Sequence, residues 1–372
     1  MEQPAESVGR IGPLFDQHCA LGAKFGEFGG WSMPLEYAGG GVLAEHDAVR
    51  NHVGVFDVSH MGAFALRGPA ARDVLNGVLT NDLQRIGPHG AQYSLLCDSR
   101  GGVVDDLLVY VRSDEDLFVV ANAGNAELVM ATIGPIVEAS QVSLTDLSRD
   151  TAIIAVQGPN SAAVMGDLGL PAGHDYLTFV DVATVFGQVT VARTGYTGEH
   201  GYEALVPVEN AARFWSMAAE ACRSRGGAPC GLGARDTLRT EMGYPLYGHE
   251  LSADISPVEA GLSWAIGWDK PTFIGRDPLV RQRTLGPDRR SRGLRCVDRA
   301  VPRPGMAVRT EAGQPPGVVT SGTFSPTLRL GIALAMLSSQ VQLGDIVEID
   351  VRGRPRRAEV VPVPFVNANP RV

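Results

Sequence analysis

Apolar positions along this chain fall mainly into short runs of period two, punctuated by glycine and proline. Such runs read as strands at 62–66, 103–111, 117–121, 153–157, 189–193 and 203–207. Between them the spacing changes to three and four, which predicts helices over 69–79, 126–133, 161–168 and 209–223. After the polar stretch 281–292, six more short runs follow at 293–296, 306–308, 317–320, 331–336, 346–351 and 358–363. Strands so spaced, with almost no helical period, predict a small antiparallel barrel. The segment Arg352-Gly353-Arg354-Pro355-Arg356-Arg357 then reads as a solvated hairpin tip.

Two stretches echo each other. Leu66-Arg67-Gly68-Pro69-Ala70-Ala71 is a strand, a Gly-Pro turn and a helix start, and Val156-Gln157-Gly158-Pro159-Asn160-Ser161 repeats it 90 residues later. Each is followed by a hairpin pattern and a helix. This suggests two related α+β halves, ferredoxin-like and facing each other across a cleft. The organisation expected is therefore a region 1–280 made of both halves, a linker at 281–292 and a barrel at 293–372.

Composition narrows the class. The chain has 372 residues, 44% of them apolar, 20% charged and 6% aromatic, which suits a folded globular protein of more than one domain. No apolar run reaches the ~20 residues of a membrane span. The net charge of −9 hides a division. Residues 1–275 carry 14 Arg and two Lys against 33 acids, whereas 276–372 carry 16 Arg against eight acids. Either a bias toward arginine or a patch for an anionic partner accounts for that basic quarter. The acidic total argues against a nucleic-acid binder. Five scattered cysteines without C-x-x-C fit reduced thiols in the cytoplasm, and Met1 to Pro13 resembles no targeting segment.

Familiar cofactor and nucleophile signatures are missing: no phosphate-binding loop, no dinucleotide fingerprint, no H-E-x-x-H, no G-x-S-x-G and no S-x-x-K. A metal site and a nucleotide cofactor are thus not expected. What remains is chemistry by positioned carboxylates, arginines and aromatics.

Three segments carry such groups. In Gly101-Gly102-Val103-Val104-Asp105-Asp106-Leu107 two adjacent acids interrupt an apolar strand. Alternation sends them to opposite faces, so one can enter the protein, where burial is costly unless it is paired. One of them could equally hold a neighbouring turn. Arg193-Thr194-Gly195-Tyr196-Thr197-Gly198-Glu199 is a glycine-rich loop opening onto a strand that contains Glu203. A carboxylate there could accept two donors from a flat heterocycle, or be an exposed hairpin residue. Gly231-Leu232-Gly233-Ala234-Arg235-Asp236-Thr237-Leu238-Arg239 enters a helix with two arginines on one face. Arg235 near the helix start suits an anion or an ion pair with a nearby acid.

Read in order, these segments resemble the aminomethyltransferase, or T-protein, family of the glycine cleavage system. The likeness also includes Gly30-Trp31-Ser32-Met33-Pro34, Val55-Phe56-Asp57-Val58-Ser59-His60-Met61-Gly62, Thr80-Asn81-Asp82 and Gly90-Ala91-Gln92-Tyr93-Ser94. It continues through Pro245-Leu246-Tyr247-Gly248-His249-Glu250 and Thr320-Ser321-Gly322-Thr323-Phe324-Ser325-Pro326, so it spans nearly the whole chain. The resemblance implies a three-domain, clover-like α+β fold around a central folate channel. It implies transfer of the methylene carbon from an aminomethyl group on the lipoyl arm of H-protein to tetrahydrofolate, with release of ammonia. By the same resemblance Asp106 is the essential carboxylate, Glu203 binds the pterin and Arg235 contacts folate. Met61, Tyr93, Asn122 and Tyr196 match further wall positions.

Two places depart from the family pattern. Glu27-Phe28-Gly29-Gly30-Trp31 replaces an Asp-Phe-Ala-Gly-Trp, and the tail ends Asn369-Pro370-Arg371-Val372 without a tyrosine, leaving Arg371 as a possible folate contact. Competing readings are a folate-dependent demethylase on the same scaffold and a non-enzymatic folate-binding paralogue of iron–sulfur assembly. The latter carries K-G-C-Y-x-G-Q-E, where this chain has Tyr244-Pro245-Leu246-Tyr247-Gly248-His249-Glu250.

Overall fold

The computed structural model describes residues 9–310 and 317–371. The first eight residues, which bear on the expected lack of a targeting segment, lie outside the described residues. An N-terminal arm holds β1 (Arg10–Ile11), α1 (Phe15–Ala20), β2 (Ala23–Phe28), β3 (Trp31–Tyr37), α2 (Gly41–Asn51) and β4 (Gly54–Asp57). A first unit follows with β5 (Gly62–Arg67), α3 (Ala71–Val78), β6 (Gly90–Cys97), β7 (Val103–Ser113), β8 (Asp116–Ala121), α4 (Ala126–Ala139) and β9 (Ser143–Asp146). A second unit repeats it as β10 (Thr151–Gln157), α5 (Ser161–Asp167), β11 (Phe179–Thr184), β12 (Gly187–Ala192), β13 (Gly201–Pro207), α6 (Val208–Arg223) and β14 (Ala228–Pro229).

The sheets have the same order. The first runs β6-β7-β8-β5-β9 and the second β11-β12-β13-β10-β4-β14. Element for element these agree, except that β4 from the arm is inserted between β10 and β14. Leaving aside the extra edge strands β6 and β11, the core of each unit is the antiparallel split-βαβ pattern of a ferredoxin-like fold. The faint echo in sequence is thus a true structural repeat. At its centre the two Gly-Pro turns are equivalent: Gly68 and Gly158 have φ of 152° and 131°. A Cβ on Gly158 would lie 2.6 Å from the His52 carbonyl oxygen, so a side chain has no room there.

Period-two alternation builds three apolar layers. In β10, Ala152, Ile154 and Val156 pack under α5 and α6, while Ile153 and Ala155 face the other sheet. Helix α6 buries Ala211, Phe214, Trp215, Ala218, Ala219 and Cys222, a three-four spacing that makes one apolar stripe. The first unit buries Leu75, Val78, Val129, Ile133 and Val137 of α3 and α4 against its own sheet. Between the sheets, Phe56, Ala63, Tyr110, Phe118, Phe179 and Leu205 interlock. The order across the body is helix, sheet, sheet, helix. Each fully buried large side chain there contributes roughly 1.5–3 kcal/mol of hydrophobic stabilisation.

Two further helices follow, α7 (Leu232–Met242) and α8 (Arg276–Leu285), and then the barrel strands. These are β15 (Arg289–Cys296), β16 (Ala307–Thr310), β17 (Gly317–Ser325), β18 (Leu330–Ser338), β19 (Ile346–Val351) and β20 (Arg354–Val361). They close in the order β15-β18-β17-β16-β19-β20. The polar stretch 281–292 is not a free linker. Its first half ends α8 and its last four residues open β15, because an exposed helix and the outward face of a barrel strand both tolerate arginines. Likewise the expected hairpin tip shrinks to Arg352-Gly353, both with positive φ (56° and 77°), while Arg354 to Arg357 lie in β20.

Helix α7 fastens the barrel to the body through buried polar contacts. Arg239 Nη1 donates to Glu250 Oε2 at 3.0 Å and Nη2 to Ser321 Oγ at 2.8 Å. Glu241 accepts from Arg50 Nη2 at 2.8 Å and from Thr327 Oγ1 at 2.9 Å.

Candidate functional site

Asp106 shares its strand face with Leu108 and Tyr110, the face toward the opposite sheet, while Asp105 shares its face with Leu107 and Val109 beneath α3 and α4. The two acids divide their tasks accordingly. Asp105 is fully buried and accepts hydrogen bonds from the Asn122 backbone N–H at 3.0 Å and Asn125 Nδ2 at 2.7 Å. It holds the turn into α4. Asp106 is partly exposed and accepts from Tyr93 Oη at 3.0 Å and Asn122 Nδ2 at 2.7 Å. Although their stems point apart, Asn122 Nδ2 also reaches Asp105 Oδ1 at 2.9 Å, so one amide links both carboxylates. Burial raises the pKa of each above the usual carboxylate range, and Asp106 adds to the rise at Asp105. For Asp106, Tyr93 and Asn122 partly oppose the burial.

Glu203 lies on β13 opposite Ala155 and Ala192, on the face toward the first sheet. Its Oε2 accepts from Thr194 Oγ1 at 2.6 Å, while Oε1 accepts no hydrogen bond among the described residues. The glycine-rich loop around Thr194 is organised by Gln157, which is fully buried. Gln157 Nε2 donates to the carbonyls of Thr194 and Tyr202, and its Oε1 accepts from Thr197 Oγ1. A Cβ on Gly195 would lie 2.0 Å from that Oε1, so the loop closes over the amide only with glycine there.

That loop presents Tyr196, whose hydroxyl donates to the Pro245 carbonyl. Above the ring sits Arg235, its Cζ 4.7 Å from the centroid. Arg235 Nη1 is buried with no hydrogen-bond partner among the described residues, and among them the guanidinium makes no ion pair of the kind its spacing allowed. Glu203 and Tyr196 still lie near enough to favour its charge, against the burial that disfavours it. Tyr196 in turn feels Asp106: burial pushes its hydroxyl pKa up, and the Asp106 charge adds to the rise. Asp106, Tyr93, Asn122, Tyr196, Arg235 and Glu203 therefore form one neighbourhood drawn from both units. Met61, in the turn between β4 and β5, packs partly buried against the inter-sheet layer.

Several neighbours escaped the sequence reading. His60, one residue from Met61, is buried with Nδ1 unpartnered among the described residues and its ring edge-on to Phe28. Burial, helped by Arg235 and opposed by Asp57, brings its pKa down to about 4, so the imidazole is neutral. Trp264 stacks on Tyr93 from a stretch that has no periodic signal. The tail returns to the same side of the molecule: Arg193 Nη2 donates to the Pro370 carbonyl at 2.8 Å, and Arg371 lies 5.9 Å from the centre of the Tyr176 ring. Glu27, the replaced acid, caps its own turn by accepting from the Gly30 N–H at 2.7 Å. Among the described residues no cluster of three or more His, Cys, Asp or Glu is arranged to hold a metal ion. No helix among them is long and apolar enough to cross a membrane.

Comparison with known proteins shows the family and the fold. Residues 14–270 match the profile of the GCVT N-terminal domain, and 289–367 that of the glycine cleavage T-protein C-terminal barrel domain. An aminomethyltransferase of Parafrankia sp. is 52% identical over 97% of this chain and 99% of its own length. One from Mycobacterium tuberculosis is 51% identical over 97% of this chain and 98% of its own. The crystal structure of glycine cleavage system aminomethyltransferase T from Bartonella henselae superposes with a TM-score of 0.91 at 33% identity, covering 97% of this chain and 99% of that one.

Proposed function

Because the chain belongs to the glycine cleavage T-protein family of aminomethyltransferases, we propose that it moves a methylene carbon from an aminomethyl-lipoyl carrier, the H-protein, to tetrahydrofolate. The observation that carries this reading is the partly exposed Asp106, fixed by Tyr93 and Asn122 and close to Tyr196, whose ring carries Arg235 beside Glu203. Tetrahydrofolate supplies the amine nitrogens that take up the carbon as ammonia leaves.

The residues present fit that acceptor. Glu203 Oε1 and the orphaned Arg235 Nη1 offer an acceptor and a donor to the polar edge of a pterin. The Tyr196 ring and Met61 offer apolar walls. In this reading Asp106 works as an ionised carboxylate: it orients an amine, balances positive charge as it develops and takes up a proton. Tyr93 and Asn122 hold that carboxylate to one rotamer, so orientation is set before substrate arrives. No covalent attack on substrate is required of any side chain. Five free thiols suit a cytoplasmic setting.

A glycine-cleavage assay with added lipoylated carrier and tetrahydrofolate tests the proposal. Asp106→Asn should keep folate affinity within a few-fold and lose at least ~10²-fold in kcat. Wild-type turnover in that variant would sink the assignment of Asp106.

A further inference from the structure

Trp264 is the most conspicuous surface group that the proposed chemistry leaves unused. It is 62% exposed, yet it is not loosely held. It sits in a one-turn helix, Ser263–Ala265, clamped on both sides. Thr80 Oγ1 donates to the Ala265 carbonyl at 2.8 Å, and Trp268 Nε1 donates to the Ser263 carbonyl at 3.0 Å. Leu262 and Ala265 on either side are buried in an apolar cluster with Leu95, Cys97 and Val103. One face of the indole stacks on Tyr93 at 5.4 Å between centroids, with planes 28° apart. The Tyr93 hydroxyl in turn donates to Asp106. A fixed aromatic face is thus turned to solvent at the end of a line running Trp264, Tyr93, Asp106. Tryptophan and tyrosine are enriched among the residues that carry binding energy at interfaces.

We infer that Trp264 is the landing surface for the carrier's lipoyl arm, which slides over the indole toward Asp106; this rests on the aminomethyl-transfer reading above. The chemistry matches in two respects. The arm is a flexible, uncharged aliphatic chain, which gains from covering an apolar ring. Its tip carries a primary ammonium, which an indole face attracts before the Asp106 carboxylate receives it. The line of contacts then gives the arm an apolar rail ending in a negative charge. Trp264 is a positioning residue in this scheme and touches no reacting atom.

The test uses the full chain with aminomethyl-loaded carrier and tetrahydrofolate, varying each in turn. Trp264→Ala should raise KM for the carrier about tenfold and leave KM for tetrahydrofolate within twofold, and Trp264→Phe should restore most of the loss. Val185→Ala, at an exposed apolar position in the β11–β12 turn, is the control. Free dihydrolipoamide should quench a part of the tryptophan fluorescence that Trp264→Phe lacks. An unchanged carrier KM overturns the inference. So does an equal rise in both KM values, which would mean that Trp264 only supports Tyr93. Should the wild type turn over no carrier at all, the proposed function fails, and the fluorescence titration still decides whether this face binds the arm.

Discussion

Asp106 shows how much one hydrogen bond governs a half-buried carboxylate. Burial raises its pKa, and the Tyr93 hydroxyl works against that rise by donating to the charged form. Tyr93→Phe keeps the ring and its stack on Trp264 but removes the donor, so the Asp106 pKa should climb further. In the proposed mechanism the ionised form does the work, so activity should be lost as pH falls through that pKa. The acid limb of the kcat profile should therefore move to higher pH in Tyr93→Phe, with a larger deficit near pH ~6 than near pH ~8. An acid limb that stays in place or moves down would contradict this role for Tyr93. Asp105 was legible in the sequence only as one of two candidates. Its turn-holding part became clear once Asn122 and Asn125, 17 and 20 residues away, were seen beside it.

Among the elements, α7 does most to join parts that sequence keeps apart. Arg235 on its first turns faces the site, while Arg239 and Glu241 farther along enter buried networks with Glu250 in the segment after α7, with Arg50 of α2 and with the barrel. Burial would raise the Glu241 pKa, but His46, Ser325 and Arg50 overcome it and hold the carboxyl down at about 2. A depressed acid stabilises the fold above its unfolded pKa near 4.5, and that contribution fades as pH falls from there toward about 2. Glu241→Gln should thus cost about 3 kcal/mol at neutral pH, because Arg50 loses the more buried of its two carboxylate partners and keeps only Glu199. In denaturant titrations the gap from wild type should narrow below pH ~4.5. A constant gap down to pH ~2 would mean that packing, rather than charge, is lost. The spacing of α7 predicted its helix and its Arg235 face. It could not tell that the residue four along, Arg239, would be sealed against Ser321 of the barrel, 82 positions later.

Across the whole molecule, the site exists because two copies of one unit face each other. Each sheet turns one acid toward the shared layer, Asp106 from β7 and Glu203 from β13, and α7 sets Arg235 over the Tyr196 ring near Glu203. Glu203→Gln and Arg235→Met should each weaken tetrahydrofolate binding at least ~10-fold, with a smaller change in kcat, as measured by equilibrium titration. An unchanged dissociation constant in both would remove them from the folate site. The charge division near residue 275 has a partial structural account. Arg289, Arg295 and Arg357 pair with Glu259, Glu359 and Asp298, and much of the remaining arginine lies exposed on the barrel.

The sequence by itself determined the elements and their punctuation, the doubled Gly-Pro unit, the barrel and the family motifs that single out Asp106, Glu203 and Arg235. These are local or ordered properties: alternation, glycine at positive φ, and motif order are written residue by residue. Tertiary structure alone decided that Asp105 turns inward to hold Asn122 and Asn125, that β4 from the arm enters the second sheet, and that the 281–292 stretch is largely helix and strand. It also brought Gln157, His60 and Trp264 to the site. Those outcomes depend on contacts between residues tens to hundreds of positions apart, for which no periodic signal exists along the chain. Buried polar groups such as Gln157 and Trp264's support, Thr80, are stable only where such distant partners meet them.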